Sequence, residues 1–185
     1  MKRRIMIASS GALLLARCTT APVHNWKIDA LPGKVQNGTG QRISVRSIGL
    51  PGALTQPGVP QPGPANTANS FTNDLWAAPL ATMLQTSMVE DLAQRLPQDT
   101  ILADGGAIGM SPDQYVEIQV LSFSPDSTGE ITLIAQIATR PVNSQNWNLQ
   151  NFSARISCGQ NAAAISAGMS QLWAKLADEI ALMLR

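Results

Sequence analysis

The sequence of 185 residues predicts a single α/β domain in which a mixed sheet of about five to six strands packs against two main amphipathic helices. Three observations support this fold class. Two stretches repeat apolar residues every three to four positions, as helices with one buried face do. Several shorter stretches alternate apolar and polar residues, which is typical of half-buried strands. Hydrophobic residues make up 44% of the chain, which is enough to build a core.

The chain opens with a basic and apolar segment. Three basic residues at positions 2–4 precede an apolar stretch over residues 5–16. That stretch is too short to cross the ~30 Å hydrocarbon core of a bilayer as a helix. A charged block followed by such a stretch predicts a signal peptide over residues 1–17, and a buried N-terminal helix is the alternative.

Residues 14–18, at the end of this segment, read Leu-Leu-Ala-Arg-Cys and resemble a bacterial lipobox. The thiol of such a cysteine is diacylated, and cleavage then makes the cysteine the new N-terminus. Arg17 departs from the pattern, because a small residue normally precedes the cysteine. The sequence therefore predicts Cys18 as the lipid-attachment residue, followed by a tether over residues 18–25.

Two alternatives concern the same residues. Cleavage after Ala21 would remove Cys18, but Pro22 would follow the cleaved bond and disfavour it. A disulfide between Cys18 and Cys158 would suit an oxidising compartment, although Cys18 lies in the predicted tether. With Cys18 acylated, Thr19 becomes the second residue, and a residue other than Asp there favours sorting to the outer membrane.

The rest of the chain is weakly charged. Beyond residue 17, nine basic residues face twelve acids, and only 14% of the whole chain is charged. No basic patch remains, so a nucleic-acid partner is not expected. The low charge indicates that a partner, a second copy or lipid covers part of the surface.

The first half of the predicted domain contains two strands and a proline-rich segment. Alternating residues predict a strand over residues 26–31 and a second strand that contains Ile43, Val45 and Ile48. Residues 50–68 contain five prolines and three glycines, so they cannot form an inner strand. They are interpreted as an extended loop or arm, either a disordered connection or a contact loop for a partner.

A first helix is predicted to start at Asn73 or Asp74 and to end before Pro97, with Pro79 in its first turn. The charged residues Glu90, Asp91 and Arg95 are placed off its apolar face, towards solvent. The apolar face consists of Trp76, Leu80, Met83, Leu84, Met88, Val89, Leu92 and Leu96.

The second half alternates more regularly and ends in a second helix. Residues 124–129 predict a hairpin connection, and residues 161–185 repeat apolar positions as a core-packed helix does. The strands are predicted at residues 100–103, 116–120, 131–137 and 147–154, the last with a bulge.

Residues that carry catalysis are scarce. The only histidine is His24, in the predicted tether, and two cysteines with one histidine cannot build a usual zinc site. The glycine-rich residues 104–109 are followed by a strand rather than a helix, so they lack the helix N-terminus of a phosphate loop. The sequence predicts no enzyme, no cofactor and no metal site.

Three short motifs point to a known family. The predicted tether leads into the strand at 26–31, residues 48–54 read Ile-Gly-Leu-Pro-Gly-Ala-Leu, and residues 74–80 read Asp-Leu-Trp-Ala-Ala-Pro-Leu. In this order the motifs resemble those of the ABC-type transport auxiliary lipoproteins, the family that includes paraquat-inducible protein C. By this resemblance, residues 26–185 are identified as the auxiliary lipoprotein domain.

The resemblance implies a non-catalytic envelope lipoprotein on the outer membrane, facing the periplasm. It would act as an accessory or docking component of an MCE-type ABC lipid-transport system. Its partners would be an MCE-domain protein and an inner-membrane ABC transporter complex, and relatives can form homo-oligomeric rings. The alternative function is a periplasmic lipid- or ligand-binding carrier with its own apolar cavity.

Overall fold

A computed structural model describes residues 21–185, so the predicted signal peptide and Cys18 lie outside the described residues. The described chain contains eight strands, two α-helices and one 3-10 turn at Gly52–Thr55. In chain order the strands and helices are β1 (His24–Trp26), β2 (Arg42–Val45), β3 (Gly58–Pro60), β4 (Ser70–Trp76), α1 (Leu80–Arg95), β5 (Thr100–Ala103), β6 (Gln114–Pro125), β7 (Glu130–Pro141), β8 (Asn148–Ser157) and α2 (Ala162–Met183).

The predicted α/β class is confirmed, with a mixed five-stranded sheet and two main helices. The strand order is β5-β2-β6-β7-β8; β2 runs parallel to both neighbours, while β6, β7 and β8 form an antiparallel meander. A second, three-stranded sheet with the order β1-β4-β3 was not predicted. His24 and Asn25, which the prediction places in the tether, already pair with β4 in this second sheet.

The start of the first helix was predicted wrongly. Residues 70–76 form strand β4, and α1 begins only at Leu80, after Pro79. Pro79 has extended backbone angles, and a proline disfavours the helical conformation of the residue before it. Trp76 is nevertheless buried, 7% exposed, as predicted, although it lies on a strand.

The proline-rich segment is part of the core rather than a disordered connection. Gly58–Pro60 forms the edge strand β3 against β4, and Val59 has no solvent exposure. Prolines are tolerated there because an edge strand leaves one row of its backbone groups unpaired. Only residues 61–69 project, as an exposed loop closed by a hydrogen bond from the Gln61 amide to the Asn69 carbonyl (2.9 Å).

The second half follows the prediction closely, apart from the bulge. The α2 helix starts after Asn161, whose side chain accepts a hydrogen bond from the Ala164 amide (2.9 Å). The bulge lies in β6, between Val120 and Ser122, and not in β8, which pairs with β7 without a shift. Leu121 therefore points outward and is 51% exposed.

The strand predicted over residues 26–31 is wrong beyond Trp26, where β1 ends. Residues 27–31 instead form an extended segment along α2, here called the strap. The Lys27 carbonyl accepts a hydrogen bond from Ser166 Oγ (2.7 Å), and the Asp29 amide donates to Ser170 Oγ (3.1 Å). From Lys27 to Asp29 the extended chain advances ~6.6 Å, and from Ser166 to Ser170 the helix advances ~6 Å. The two advances are nearly equal, so successive hydrogen bonds can form along both elements. The strap and α2 therefore run in the same direction.

An ion pair between Asp91 and Arg95 holds the far end of the strap. The prediction that both residues point towards solvent is wrong. Both are buried, with 0% and 1% exposure. Asp91 Oδ1 accepts from the Leu31 amide (2.8 Å), while Arg95 donates to the carbonyls of Leu31 and Ala174 (3.0 Å each). Arg95 Nε also bonds to Asp178 (2.7 Å). Burial is the main cause that raises the pKa of Asp91, and the Arg95 charge opposes it.

Candidate functional site

The face of the five-stranded sheet that points away from the helices is open to solvent across β6, β7 and β8. This open face exposes three large apolar side chains, with Leu121 at 51%, Ile134 at 38% and Leu149 at 63%. Its outward positions include Tyr115, Glu117, Gln119, Leu121, Ile134, Gln136, Ala138, Arg140, Leu149, Asn151, Ser153 and Arg155. Apolar groups at outward strand positions contribute little to the core, and where they adjoin one another they mark contact surfaces. Leu121 lies next to the residue paired with Ile134, and Leu149 lies opposite Ala138, further along β7.

A shallow groove of about 450 Å³ crosses the middle of the open face. Its floor includes Gln119 and Gln136, and the Gln136 amide donates to Asn151 Oδ1 (3.3 Å) on β8. Leu149 lies at one side of the groove and Arg46 at the other. The groove therefore offers hydrogen-bonding groups between an apolar side chain and a charged one.

Arginine and aromatic side chains cluster at one end of the open face. The Arg140 guanidinium lies 5.7 Å from the centre of the Tyr115 ring and 4.8 Å from that of Trp147. Arg46 covers Tyr115 at 5.4 Å and pairs with Glu117 (2.8 Å). Cation–π contacts of this kind hold the guanidinium groups in place.

Arg140 and Arg46 differ in how their charge is compensated. The hydrogen bond to Glu117 raises the pKa of Arg46. Arg140 instead donates to the Ser144 carbonyl (2.8 Å), and within residues 21–185 it has no carboxylate at ion-pair distance. Its Nε is buried without a hydrogen-bond partner. Because no carboxylate of the described residues pairs with it, the Arg140 guanidinium can donate to an anionic group from outside the domain through N–H groups other than the buried Nε.

An ion pair between Arg42 and Asp113 lies at the same end of the sheet. Arg42 on β2 bonds to both carboxylate oxygens of Asp113, at 2.6 and 2.9 Å. This bidentate contact lowers the pKa of Asp113 to about 2. Because Asp113 directly precedes β6, the pair holds the start of β6 beside β2.

The space between the five-stranded sheet and the helices is filled by large side chains. Trp173 on α2 has no solvent exposure, stacks on Phe123 with 6.0 Å between ring centres, and donates to the Leu84 carbonyl (3.0 Å). Leu133 and Ile165 are equally buried. This packing leaves the apolar face of the sheet covered by protein rather than by a ligand.

The residues weighed for catalysis do not assemble into a site. His24 Nδ1 lies 3.3 Å from Asp74 on the small sheet, with 58% of its side chain exposed. Residues 104–109 form a turn that leads to β6, with Gly105 at a φ of +74°, as predicted. Within the described part of the chain no group of three potential ligands could hold a metal ion. Neither of the two described helices is long and apolar enough to cross a bilayer.

A family model relates this chain to known proteins. It is described as ABC-type transport auxiliary lipoprotein component and matches residues 28–181. A search of the curated proteins gave no match.

Two solved structures with low sequence identity share the fold. An uncharacterized protein has a TM-score of 0.76 and 16% identity, over 89% of this chain and 100% of its own. A Xanthomonas campestris protein of the DUF330 family model has a TM-score of 0.70 and 15% identity, over 87% and 93%. The PelC dodecamer from Paraburkholderia phytofirmans is more distant, with a TM-score of 0.42 and 9% identity, over 78% and 93%.

Proposed function

The chain belongs to the family of ABC-type transport auxiliary lipoprotein components, and from this membership we propose that it is a non-catalytic docking component of an MCE-type ABC lipid-transport system. Its partners are an MCE-domain protein and, through it, an inner-membrane ABC transporter complex. Residues 1–17 act as a signal peptide, and Cys18 carries the lipid anchor in the outer membrane. The domain faces the periplasm, and assembly into a homo-oligomeric ring is part of the proposal.

The open face is the observation that carries this proposal. It combines exposed apolar residues with arginine and aromatic side chains, the types enriched where proteins meet. Arg140 has no carboxylate partner within the described residues, so an acidic group of the partner can pair with it. The docking role needs this surface and no chemistry of its own.

The carrier alternative has less support. A carrier needs an enclosed apolar cavity, and Trp173, Phe123 and Leu133 fill the space between sheet and helices. As an isolated monomer, a carrier should retain lipid through purification, and a docking component should not. Mass spectrometry of organic extracts from the purified domain, residues 21–185, distinguishes the two.

Docking through the open face is tested by placing a charge on it. Leu149→Asp should weaken binding of a purified MCE-domain protein at least tenfold, because an unpaired carboxylate would be buried at the contact. Leu182→Asp on α2 is the matched control, since Leu182 is also exposed, at 48%, but lies outside the open face. Isothermal titration calorimetry gives the dissociation constants. Equal affinity of the two variants would rule out docking through this face.

The anchor is tested by metabolic labelling with palmitate. Label should enter the wild-type chain, enter Arg17→Gly more readily, and be absent from Cys18→Ser. Arg17 slows acylation because a bulky cation occupies a position that prefers small residues. Equal labelling of Cys18→Ser and wild type would exclude Cys18 as the attachment site.

A further inference from the structure

The chain enters the domain beside the projecting loop of residues 61–69. Strand β1 runs parallel to β4 and pairs His24 with Asp74 and Trp26 with Trp76. Residues 21–23 therefore extend back along the first part of β4, towards Ser70. The loop directly precedes Ser70, which is paired with Pro60 of β3. The entry point of the chain and the loop thus lie at one end of the domain, here called the entry end.

The turn between β6 and β7 and the start of α2 also lie at the entry end. The loop shares a groove with residues 124–127, at the turn between β6 and β7, and with Glu130 and Thr132 at the start of β7, so that two acidic side chains, Asp126 and Glu130, line it. The same turn contacts the chain just before α2, where the Cys158 amide donates to the Gly129 carbonyl (3.0 Å). Because the strap runs in step with α2, the entry end is also the end at which α2 begins.

The entry end exposes a long uncharged stretch. No Asp, Glu, Lys, Arg or His occurs between residues 47 and 73, which include the whole loop. The loop is ordered by a turn in which Thr67 bonds to the Pro64 carbonyl through its amide (3.2 Å) and its hydroxyl (2.7 Å). The loop can approach lipid headgroups without desolvating a charge of its own. The two acids beside it have partners, since Asp126 accepts a hydrogen bond from Thr128 (2.7 Å) and Glu130 pairs with Arg155 (3.3 Å).

The opposite end of the domain has a different surface. Ile108 and Met110 lie in the loop that returns to the start of β6, and Trp147 lies just before β8. All three are exposed, at 64%, 48% and 46%. These large apolar groups suit a protein contact, whereas the projecting loop at the entry end offers prolines, alanines and small polar residues. The two ends are therefore suited to different neighbours.

Chain length then limits how far the entry end can stand from an anchored cysteine. Three residue steps separate Cys18 from Ala21, which allows roughly 10 Å at full extension. We propose that the loop of residues 61–69 rests on the headgroups of the bilayer leaflet that holds the anchor. This inference depends on the proposed acylation of Cys18. It orients the domain with its entry end on the membrane and the opposite end towards the periplasm.

The test compares two exposed alanines at opposite ends of the domain. Ala65 lies in the projecting loop, and Ala107 lies in the loop before β6. Each is replaced by cysteine in a full-length chain that also carries Cys158→Ala, and the new thiol receives a nitroxide label. Acylated Cys18 does not react. The lipidated proteins are reconstituted in vesicles of phosphatidylethanolamine and phosphatidylglycerol.

Collisions of the nitroxide with a water-soluble nickel complex are measured by electron paramagnetic resonance. On vesicles, the Ala65→Cys label should lose at least half of its accessibility relative to detergent solution, and the Ala107→Cys label should keep its accessibility. Protection of Ala107→Cys alone, of both labels or of neither would overturn the proposal. Intact-mass measurement checks the acyl chains separately: a chain without them disproves the anchor, whereas an acylated chain with an accessible loop disproves only the orientation.

Discussion

The two faces of strand β7 have opposite environments, although their residues alternate along one chain. Ile131, Leu133, Ala135 and Ile137 point towards the helices and have no solvent exposure. The residues between them point to the open face, where Ile134 is 38% exposed and Gln136 lines the groove. The inner face therefore supplies stability, while the outer face is available for contact with other molecules.

This difference shows that hydrophobicity alone does not assign a residue to one role. Leu133 and Ile134 are neighbours of similar size, and only the period of two along the strand separates them. The two faces would not differ in role if inner-face changes left the fold intact or if outer-face changes unfolded it.

Trp173→Ala should have the largest effect, because Trp173 joins α2 to both α1 and β6. Removing a fully buried tryptophan leaves a cavity and should lower the free energy of unfolding by ~3–5 kcal/mol. Chemical denaturation followed by circular dichroism measures the change. Trp147→Ala is the control, since Trp147 is 46% exposed, and it should leave the midpoint nearly unchanged. Comparable losses in both variants would contradict the assignment.

Arg95→Met should lower the free energy of unfolding by about 3 kcal/mol, because it leaves Asp91 buried without its cation. Lys175→Met removes an exposed cation from α2 and serves as control. The double variant Asp91→Asn with Arg95→Met should be less affected than Arg95→Met alone. A double variant as unstable as the single one would show that the charge on Asp91 is not the cause.

The same variant should acquire a pH dependence of known sign. Burial already raises the pKa of Asp91, and loss of Arg95 raises it further. A carboxyl whose pKa is higher in the folded state than in the unfolded state contributes stability at low pH and loses it as pH rises. Arg95→Met should therefore be closest to wild type under acidic conditions. Denaturation midpoints measured from pH 4 to pH 8 give this profile.

Ile134→Ala should have the smallest effect, within ~0.5 kcal/mol, because the side chain lies on the open face. Leu133→Ala, one residue away on the inner face, should cost ~2–5 kcal/mol. The same denaturation assay compares the two. A loss above ~2 kcal/mol for Ile134→Ala would mean that the open face belongs to the core of the isolated domain.

Local sequence patterns predict secondary structure correctly where the residues that pair or pack together are close along the chain. The alternation at 131–137 and the turn at 124–129 predicted the β6–β7 hairpin. The apolar repeat predicted α2, because its core positions recur within the helix itself. The open face was missed, since knowing which outward residues remain uncovered requires the order of all five strands. Ile134, an apolar residue between the inward Leu133 and Ala135, was the available signal.

Distant contacts explain the two main errors. Strand β4 pairs with β1, 50 positions earlier, and with β3, whose proline-rich surroundings do not indicate a strand, so its local pattern could be interpreted as a helix start. Asp91 and Arg95 were assigned to solvent because charged residues usually lie there. Their partners, Leu31 and Asp178, are 60 and 83 residues away in sequence. The available signal within α1 is their position three residues after Met88 and Leu92, which puts both on the flank of the apolar face.

The course of the strap has a mechanical consequence. A pull on Ala21 away from the entry end acts along the strap rather than across it. The bonds at Lys27, Asp29 and Leu31, together with the pairing of β1 with β4, then share the load in shear. A pull across the strap would instead open these bonds one at a time. The domain should therefore resist traction along the direction in which a membrane anchor would exert it.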